Sequence, residues 1–124
     1  MSEKVKPGGH ILLVEDDLDQ VFLLSAFLES QGFTVDACSQ TLEGLRKYKE
    51  QRYLCAIIDV MMPDGGAEYI LKNTEISHPV IVLTAAREDR KMEFLALGAY
   101  AFCSKQDISR NLKPLLLKLF ENEQ

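Results

Sequence analysis

The sequence has little of what would mark a membrane, exported or nucleic-acid-binding protein. No stretch of its 124 residues approaches the roughly 18 continuous apolar residues of a membrane helix, so we expect no membrane insertion. Its start, MSEKVKPGGH, lacks the apolar segment of a signal peptide, and we expect residues 1–9 to form a short flexible leader. The net charge is −5 and Lys and Arg form no cluster, which disfavours direct binding to nucleic acid.

Cysteine and glycine are also too sparse for several kinds of site. Cys38, Cys55 and Cys103 are odd in number and lie in apolar runs. This pattern is typical of buried core residues in a reducing compartment, and not of a disulfide framework or a metal site. We therefore expect a cytoplasmic protein. No G-x-G-x-x-G follows the first apolar run, which disfavours a dinucleotide site.

Five short apolar runs alternate with five segments suited to helices. The runs predict strands over residues 10–15, 33–39, 53–59, 79–84 and 99–104, and the other segments predict helices over residues 18–31, 41–51, 67–75, 87–97 and 111–121. Regular alternation of this kind indicates an α/β fold with a parallel sheet and helices on both faces. We expect one domain over residues 10–121, followed by a short tail at 122–124.

Reactive side chains follow four of the five predicted strands. In chain order these strands end at Glu15-Asp16-Asp17, Asp59, Thr84 and Lys105. In open parallel sheets, ligands bind beyond the carboxyl ends of the strands, so we expect these side chains to meet in one pocket. Each feature alone is more typical of a turn, a helix cap or ordinary surface than of a binding site.

The chemistry of these groups is complementary. Acidic side chains held close together repel each other unless a cation or a proton lies between them. Mg²⁺ prefers oxygen ligands and commonly binds one or two carboxylates together with waters and a phosphate. Asp59 could then attack phosphorus as a carboxylate nucleophile, while Lys105 and Thr84 contact the oxygens of the transferred group.

Several motifs in the chain, taken together, resemble those of a known family. They are ILLVEDD at 11–17, IIDVMMP at 57–63, VLTAA at 82–86, ALGAYAF at 96–102 and SK at 104–105. The set resembles the receiver domain of response regulators in two-component signalling, including the chemotaxis regulators. The resemblance implies a doubly wound, flavodoxin-like (βα)5 fold with strand order 2-1-3-4-5. It also implies that Asp59 is phosphorylated by a sensor histidine kinase or a phosphotransfer protein.

The resemblance further implies a role for each acidic residue. Glu15 and Asp16 would be the acidic pair at Mg²⁺, with Asp16 the more direct ligand. The main-chain carbonyl of Met61 would be a further ligand beside Asp59. Asp17 falls just outside the pair, and we expect it to cap the first helix.

The resemblance also implies a switch. In this family, phosphorylation draws the residue at the position of Thr84 inward and reorients an aromatic side chain at the position of Phe102. The face formed by the fourth helix, fifth strand and fifth helix changes as a result and binds a downstream protein. Phe102 lacks a hydroxyl group, so a role as a core aromatic on the last strand is an equal alternative.

The sequence departs from the family pattern in two loops and has one unusual proline. Gln106 stands where relatives have proline after the lysine, and we expect the Lys105–Gln106 bond to be trans and Lys105 to keep its role. The run Asp64-Gly65-Gly66 shifts the usual Asp-Gly before the third helix, so we expect a looser loop there. We expect Asn111 to cap the fifth helix or its start to be distorted, with Pro114 in the first turn.

Two other functions are consistent with parts of the pattern. A receiver-like interaction module that is not phosphorylated would keep the fold, but the intact pocket residues argue against it. An enzyme of the haloacid-dehalogenase type would need a second acid two residues after the nucleophile, where Met61 stands. We therefore predict a phospho-accepting signalling domain, and not an enzyme that turns over an external substrate.

Overall fold

The computed structural model describes residues 9–85 and 90–123, and along them five strands alternate with five helices. The strands are β1 (His10–Val14), β2 (Thr34–Cys38), β3 (Cys55–Asp59), β4 (Val80–Thr84) and β5 (Ala101–Ser104). The helices are α1 (Leu18–Ser30), α2 (Thr41–Glu50), α3 (Gly66–Lys72), α4 (Lys91–Ala96) and α5 (Ile108–Glu123).

All five strands lie parallel in one sheet, in the order β2-β1-β3-β4-β5. This order confirms the predicted doubly wound, flavodoxin-like fold. β3 and β4 are buried along their whole length, because the sheet has apolar layers on both faces. The carboxyl ends of β1, β3 and β4 therefore meet at the centre of one sheet edge, and β5 borders them.

Two apolar layers, one on each face of the sheet, form the core. Alternate residues of a strand point to opposite faces, so Leu12 and Ile58 join one layer while Leu13 and Ile57 join the other. All three cysteines are free and buried, as predicted. Burial raises the pKa of Cys55 to about 12, so this thiol is protonated and behaves as a core residue.

Helix α1 is bounded by the two residues that the sequence marks. The side chain of Asp17 accepts hydrogen bonds from the backbone N–H groups of Asp19 (3.0 Å) and Gln20 (3.3 Å), which confirms its predicted capping role. At its other end the chain turns at Gly32, whose φ of 96° suits glycine best. The cap places the start of α1 directly beside the acids that follow β1.

Helices α3 and α4 do not match their predicted bounds. Helix α3 ends at Lys72, before the predicted end at residue 75, and the Asn73 side chain donates a hydrogen bond to the carbonyl of Tyr69 (2.8 Å). Such a local bond offers the backbone an alternative to further helix. Helix α4 begins at Lys91, and residues 87–89 of its predicted start lie outside the described residues. Gly98, with φ of 109°, follows the end of this helix.

The prediction for the start of α5 was wrong. The helix begins at Ile108, and Asn111 lies inside it with its N–H bonded to the carbonyl of Asp107 (3.0 Å). Pro114 is therefore an interior residue of the helix and not part of its first turn. It is exposed, so the carbonyl it leaves without a helical partner can face water. The buried leucines of α5, at positions 112, 116 and 119, hold the helix on the sheet despite the proline.

Candidate functional site

The backbone brings the predicted site residues to one edge of the sheet. Asp59 is the last residue of β3, and Glu15 follows β1, where its N–H continues the ladder to the carbonyl of Cys38 (3.0 Å). Thr84 is the last residue of β4, and its carbonyl accepts a hydrogen bond from the N–H of Lys105 (2.8 Å). The ladder thus fixes where each side chain leaves the sheet.

Three carboxylates form the centre of the site. Glu15, Asp16 and Asp59 each offer an oxygen, and these oxygens all lie within 4.8 Å of one another. Glu15 and Asp59 are buried, while Asp16 is exposed. In this cluster, Glu15 and Asp59 are therefore shielded from water, and Asp16 lies on the solvent side. We call Glu15, Asp16, Asp59 and Lys105 the acidic pocket.

Lys105 enters this pocket from the end of β5. Its Nζ lies 2.8 Å from Oε1 of Glu15, to which it donates a hydrogen bond, and 3.1 Å from Oδ1 of Asp59. The Lys105 side chain is only 16% exposed. Its long stem therefore delivers the ammonium to the buried carboxylates, although glutamine and not proline follows it.

The contact between Lys105 and Asp59 is an ion pair without a hydrogen bond. The distance of 3.1 Å is short, but the geometry leaves Oδ1 of Asp59 with no hydrogen bond from any residue in the described part of the chain. A buried carboxylate oxygen is costly to leave in this state, and exceptions often lie at functional positions. Asp59 is thus the least satisfied group of the pocket.

Burial and neighbouring charges shift the pKa values of two groups in the pocket. Burial raises the pKa of Glu15 more than the hydrogen bonds from Lys105 and the Asp17 N–H lower it, and the charge of Asp59 raises it further. Burial alone would lower the pKa of Lys105. The hydrogen bond to Glu15 and the charges of Asp59 and Glu15 outweigh that effect, so the pKa of Lys105 is raised. Lys105 is therefore cationic at neutral pH.

The residues present fit a divalent, oxygen-seeking cation. Three carboxylate oxygens converge, one of them lacks a hydrogen bond, and one of the acids faces solvent. Oxygen ligands combined with access for water suit Mg²⁺, which gives up its waters reluctantly. The donor set contains neither sulfur nor imidazole, which soft transition metals prefer.

The structure also locates Thr84, Met61 and Phe102, the other residues predicted to act at this site. Thr84 is buried at the end of β4. Met61 is 62% exposed, and the part played by its carbonyl stays a prediction. Phe102 is buried and stacks on Phe94 of α4, with ring centroids 5.7 Å apart. The structure therefore presents Phe102 as a core aromatic, and its switching role stays a prediction.

The loop after Lys105 is held by side chains that were not predicted to act there. None of the described peptide bonds is cis, so the Lys105–Gln106 bond is trans as expected. The Gln106 N–H donates to Oγ of Ser104 (3.0 Å), and the Asn111 side chain donates to the Gln106 carbonyl (3.1 Å). Asp107 has a φ of 52°. These bonds define the loop without the proline of the relatives.

The prediction of a looser loop after β3 was wrong. The Asp64 carboxylate accepts hydrogen bonds from the Thr41 N–H (2.8 Å) and the Thr41 hydroxyl, and the Thr41 Oγ1 accepts one from the Gly66 N–H (2.8 Å). The loop is therefore fastened to the start of α2. Sequence reasoning missed Thr41, because its partners lie 23 and 25 residues away and no local pattern marks such a contact.

The fold and the pocket together define a class of protein. It is the flavodoxin-like α/β domain with a cluster of acidic side chains at the carboxyl ends of its central strands. The family model of the response regulator receiver domain matches residues 11–116. The chain belongs to this family of two-component signalling modules, as the sequence motifs had indicated.

Individual relatives agree with this assignment. The chain is 42% identical over 92 residues to a transcriptional regulatory protein CpxR homolog of Haemophilus influenzae, covering 72% of this chain and 40% of that protein. The chain spans less than half the length of the first curated relatives it matches. No described helix is long and apolar enough to cross a membrane, and the cytoplasmic location stays a prediction.

Solved structures share the fold at low sequence identity. The receiver domain of the Francisella response regulator 1452 has a TM-score of 0.85 at 22% identity, covering 94% of this chain and 100% of that one. The response regulator TrrA of Thermotoga maritima, solved in complex with Mg²⁺ and BeF, has a TM-score of 0.79 at 24% identity, covering 90% of this chain and 98% of that one. These likenesses establish the fold.

Proposed function

We propose that this chain is a phospho-accepting switch in which Asp59 receives a phosphoryl group from a sensor histidine kinase or a phosphotransfer protein. The observation that carries the proposal is the state of Asp59. Its carboxylate is buried, ends a central strand and keeps one oxygen without a hydrogen bond from the described residues. A group arranged in this way suits reaction better than stability.

The transfer is an attack of an Asp59 oxygen on phosphorus. The new O–P bond forms as the N–P bond of the donor's phosphohistidine breaks, and the leaving imidazole nitrogen keeps the electron pair and takes up a proton. Lys105, already beside Asp59, contacts an oxygen of the phosphoryl group, and the Thr84 hydroxyl contacts another. Catalysis of this kind needs mainly position and charge neutralisation.

Mg²⁺ would be held by Glu15, Asp16, Asp59 and the main-chain carbonyl of Met61, with Asp16 a direct ligand. When bound, the ion neutralises charge on the carboxylates and on the phosphoryl oxygens. The three converging carboxylate oxygens support this ligand set. The relative TrrA, which was solved with Mg²⁺ and BeF, is consistent with it.

The phosphorylated domain would act through protein contacts. Water in the pocket would hydrolyse the aspartyl phosphate in time, so the chain resets itself and turns over no external substrate. Inward motion of Thr84 and reorientation of Phe102 would alter the face formed by α4, β5 and α5. A groove on this face, lined by Leu95, Tyr100, Phe102, Ser104, Asn111 and Leu115 among others, offers a downstream protein both apolar and polar contacts.

The proposal is tested with a small phosphodonor. Acetyl phosphate and Mg²⁺ should add one phosphate to the wild type, and hydroxylamine should remove it, because acyl phosphates react with hydroxylamine. Asp59→Asn should take up none. The matched control is Asp36→Asn, which changes a carboxylate on β2, outside the acidic pocket, and should take up one phosphate.

A full mass increment in Asp59→Asn would place the phosphate elsewhere and overturn the assignment. No uptake by the wild type, with Mg²⁺ binding also absent, would favour the alternative function. That alternative is a receiver-like interaction module that is not phosphorylated.

A further inference from the structure

The described residues include four buried polar or charged side chains, and the proposed function uses three of them. Glu15, Asp59 and Thr84 belong to the strand ends of the pocket. The fourth is Thr41, which is fully buried and begins helix α2. A buried hydroxyl persists where it has partners, and the partners of Thr41 lead back to the pocket.

Thr41 is bonded to the loop that leaves Asp59. Its hydroxyl donates to Oδ1 of Asp64, and its Oγ1 accepts the N–H of Gly66 at 2.8 Å. Its own N–H donates to Oδ2 of Asp64 at 2.8 Å. The loop end at residues 64–66 is therefore attached to α2 by three hydrogen bonds. We call Thr41, Asp64 and Gly66 the loop clamp.

Gly66, in turn, presses against the backbone of Asp59. It has a φ of 57°, and a Cβ at this position would lie 2.5 Å from the carbonyl oxygen of Asp59 and 3.2 Å from that of Val60. Only a residue without a side chain comes this close without shifting the backbone. The position of Gly66 thus limits where the two peptide units after the phosphoacceptor can lie. The Met61 carbonyl, a proposed Mg²⁺ ligand, belongs to the same loop.

We propose that Thr41 is a positioning residue for Asp59 and for the Mg²⁺-binding loop. Its hydroxyl holds Gly66, and Gly66 holds the backbone of Asp59 and Val60, so that the carboxylate and the Met61 carbonyl face the same point. The activity part of this inference rests on the proposed function. The geometric part rests on the clamp alone.

The hydroxyl of Thr41 can be removed without removing the hydrogen bond by which Asp64 caps α2. The N-cap residue Gln40 makes no side-chain hydrogen bond to α2 within the described structure, and the Asp64 carboxylate serves the helix start by accepting the Thr41 N–H. Thr41→Val removes the hydroxyl and leaves this backbone bond. Thr41→Ser keeps both, and is the matched control.

The first measurement needs neither metal nor phosphate. In Thr41→Val, the Gly66 amide should exchange its hydrogen about tenfold faster than in wild type, a factor that corresponds to about 1.4 kcal/mol. The amide shifts of residues 59–62 should move with it. Thr41→Ser should resemble the wild type. Unmoved shifts and unchanged exchange in Thr41→Val would overturn the proposal.

The second measurement tests whether the Thr41 hydroxyl affects Mg²⁺ binding and phosphorylation. At a temperature where all variants are folded, Thr41→Val should bind Mg²⁺ about tenfold more weakly, which again corresponds to about 1.4 kcal/mol, and Thr41→Ser should restore the affinity. A lower melting temperature with unchanged Mg²⁺ affinity and phosphorylation rate would mean a purely structural threonine, and would overturn the proposal.

Two further outcomes are distinguished from a failure of the Thr41 proposal. If the wild type binds no Mg²⁺ and takes up no phosphate, the proposed function fails, and the metal-free shifts of residues 59–62 still decide the role of Thr41. If Thr41→Val does not fold, Thr41→Ala takes its place, because it also removes the hydroxyl that accepts the Gly66 N–H and leaves Asp64 unchanged. It should move the same resonances, and unmoved resonances there would overturn the proposal.

Discussion

Two of the places where a carboxylate lies beside a lysine, Asp36 on β2 and the acidic pocket, are built differently. On β2, Asp36 has both oxygens satisfied: Oδ1 accepts from Nζ of Lys47 and Oδ2 from the hydroxyl of Tyr53, each at 2.8 Å. We call these three residues the Asp36 cluster. In the acidic pocket, Glu15 and Asp59 share the ammonium of Lys105, and an oxygen of Asp59 accepts no hydrogen bond from the described residues.

The pKa shifts of Asp36 and Glu15 have opposite signs. Burial raises the pKa of Asp36, but the hydrogen bonds from Lys47 and Tyr53 outweigh it, so the pKa is lowered. Burial wins at Glu15, and its pKa is raised. Both oxygens of Asp36 are therefore paired within the Asp36 cluster, whereas in the acidic pocket an oxygen of Asp59 accepts no hydrogen bond from the described residues. We infer that the first serves stability and the second serves a ligand.

The largest expected effect is stabilisation by Mg²⁺. A ligand that binds only the folded chain should raise the free energy of unfolding by about 2.7 kcal/mol at a concentration 100 times its dissociation constant. Urea unfolding with Mg²⁺ and with a chelator measures this increment. Asp36→Asn should keep it and Asp59→Asn should lose most of it. An equal increment in both variants would mean that the cation binds outside the pocket.

Neutralising one carboxylate in each region should change stability in opposite directions. Without Mg²⁺, Asp36→Asn should lower the free energy of unfolding by about 2 kcal/mol, because it weakens two hydrogen bonds to a charged group. Asp59→Asn should raise it by about 1 kcal/mol, because it removes repulsion from Glu15 at a site built for function. Urea unfolding of both variants measures the two effects. Loss of stability in both variants would mean that both carboxylates stabilise the fold, which contradicts the proposed difference between the regions.

The lowered pKa of Asp36 predicts that the effect of Asp36→Asn on the free energy of unfolding depends on pH. The pKa of Asp36 in the folded chain lies below its ordinary value of 3.8. Its contribution is therefore complete above that value and is lost as the pH falls through the folded pKa. The deficit of Asp36→Asn relative to wild type should be constant at neutral pH and disappear in acid. A deficit that persists when Asp36 is protonated in the wild type would mean that packing, and not charge, causes it.

Lys105→Ala should slow phosphorylation by acetyl phosphate roughly tenfold, which corresponds to about 1.4 kcal/mol in the barrier. The ammonium next to Asp59 stabilises the transferred group, and the variant should still fold and bind Mg²⁺. The control is a lysine outside the pocket, changed as Lys47→Ala, which should lose stability and keep the rate. Equal rates in wild type and Lys105→Ala would make Lys105 a structural partner of Glu15 only.

The smallest expected effect concerns the loop after Lys105. Gln106→Pro removes the N–H that donates to Ser104 and should cost about 0.5 kcal/mol of stability, since this bond is exposed. Ser104→Ala removes the same bond from the other side. The double variant, measured by urea unfolding, should therefore be no less stable than the weaker single variant. Additive losses would mean that the two residues act separately.

The sequence was sufficient for the fold and for the members of the pocket. Apolar runs that end on acids, a threonine and a lysine locate the strand ends, and the alternation of elements brings those ends together. Asp17 was predictable as a cap because its partners, Asp19 and Gln20, follow it directly in the chain. These features follow from patterns of residues that are neighbours in the chain.

Features that depend on tertiary contacts were not predictable. The clamp joins Thr41 to Asp64 and Gly66 across more than 20 residues, so the glycines of that loop indicated looseness where the structure has attachment. Pro114 indicated a helix start, but buried leucines carry α5 through it. In both cases packing outweighs the preference of the local residues.

The comparison between the two regions is tested most directly by a Mg²⁺ titration followed through backbone amide shifts. The account predicts that resonances of residues 15–17 and 59–62 move with one common dissociation constant, while those of Asp36, Lys47 and Tyr53 stay in place. Movement confined to the Asp36 cluster, or no movement at all, would contradict the assignment of the acidic pocket as the site of the cation and of phosphorylation.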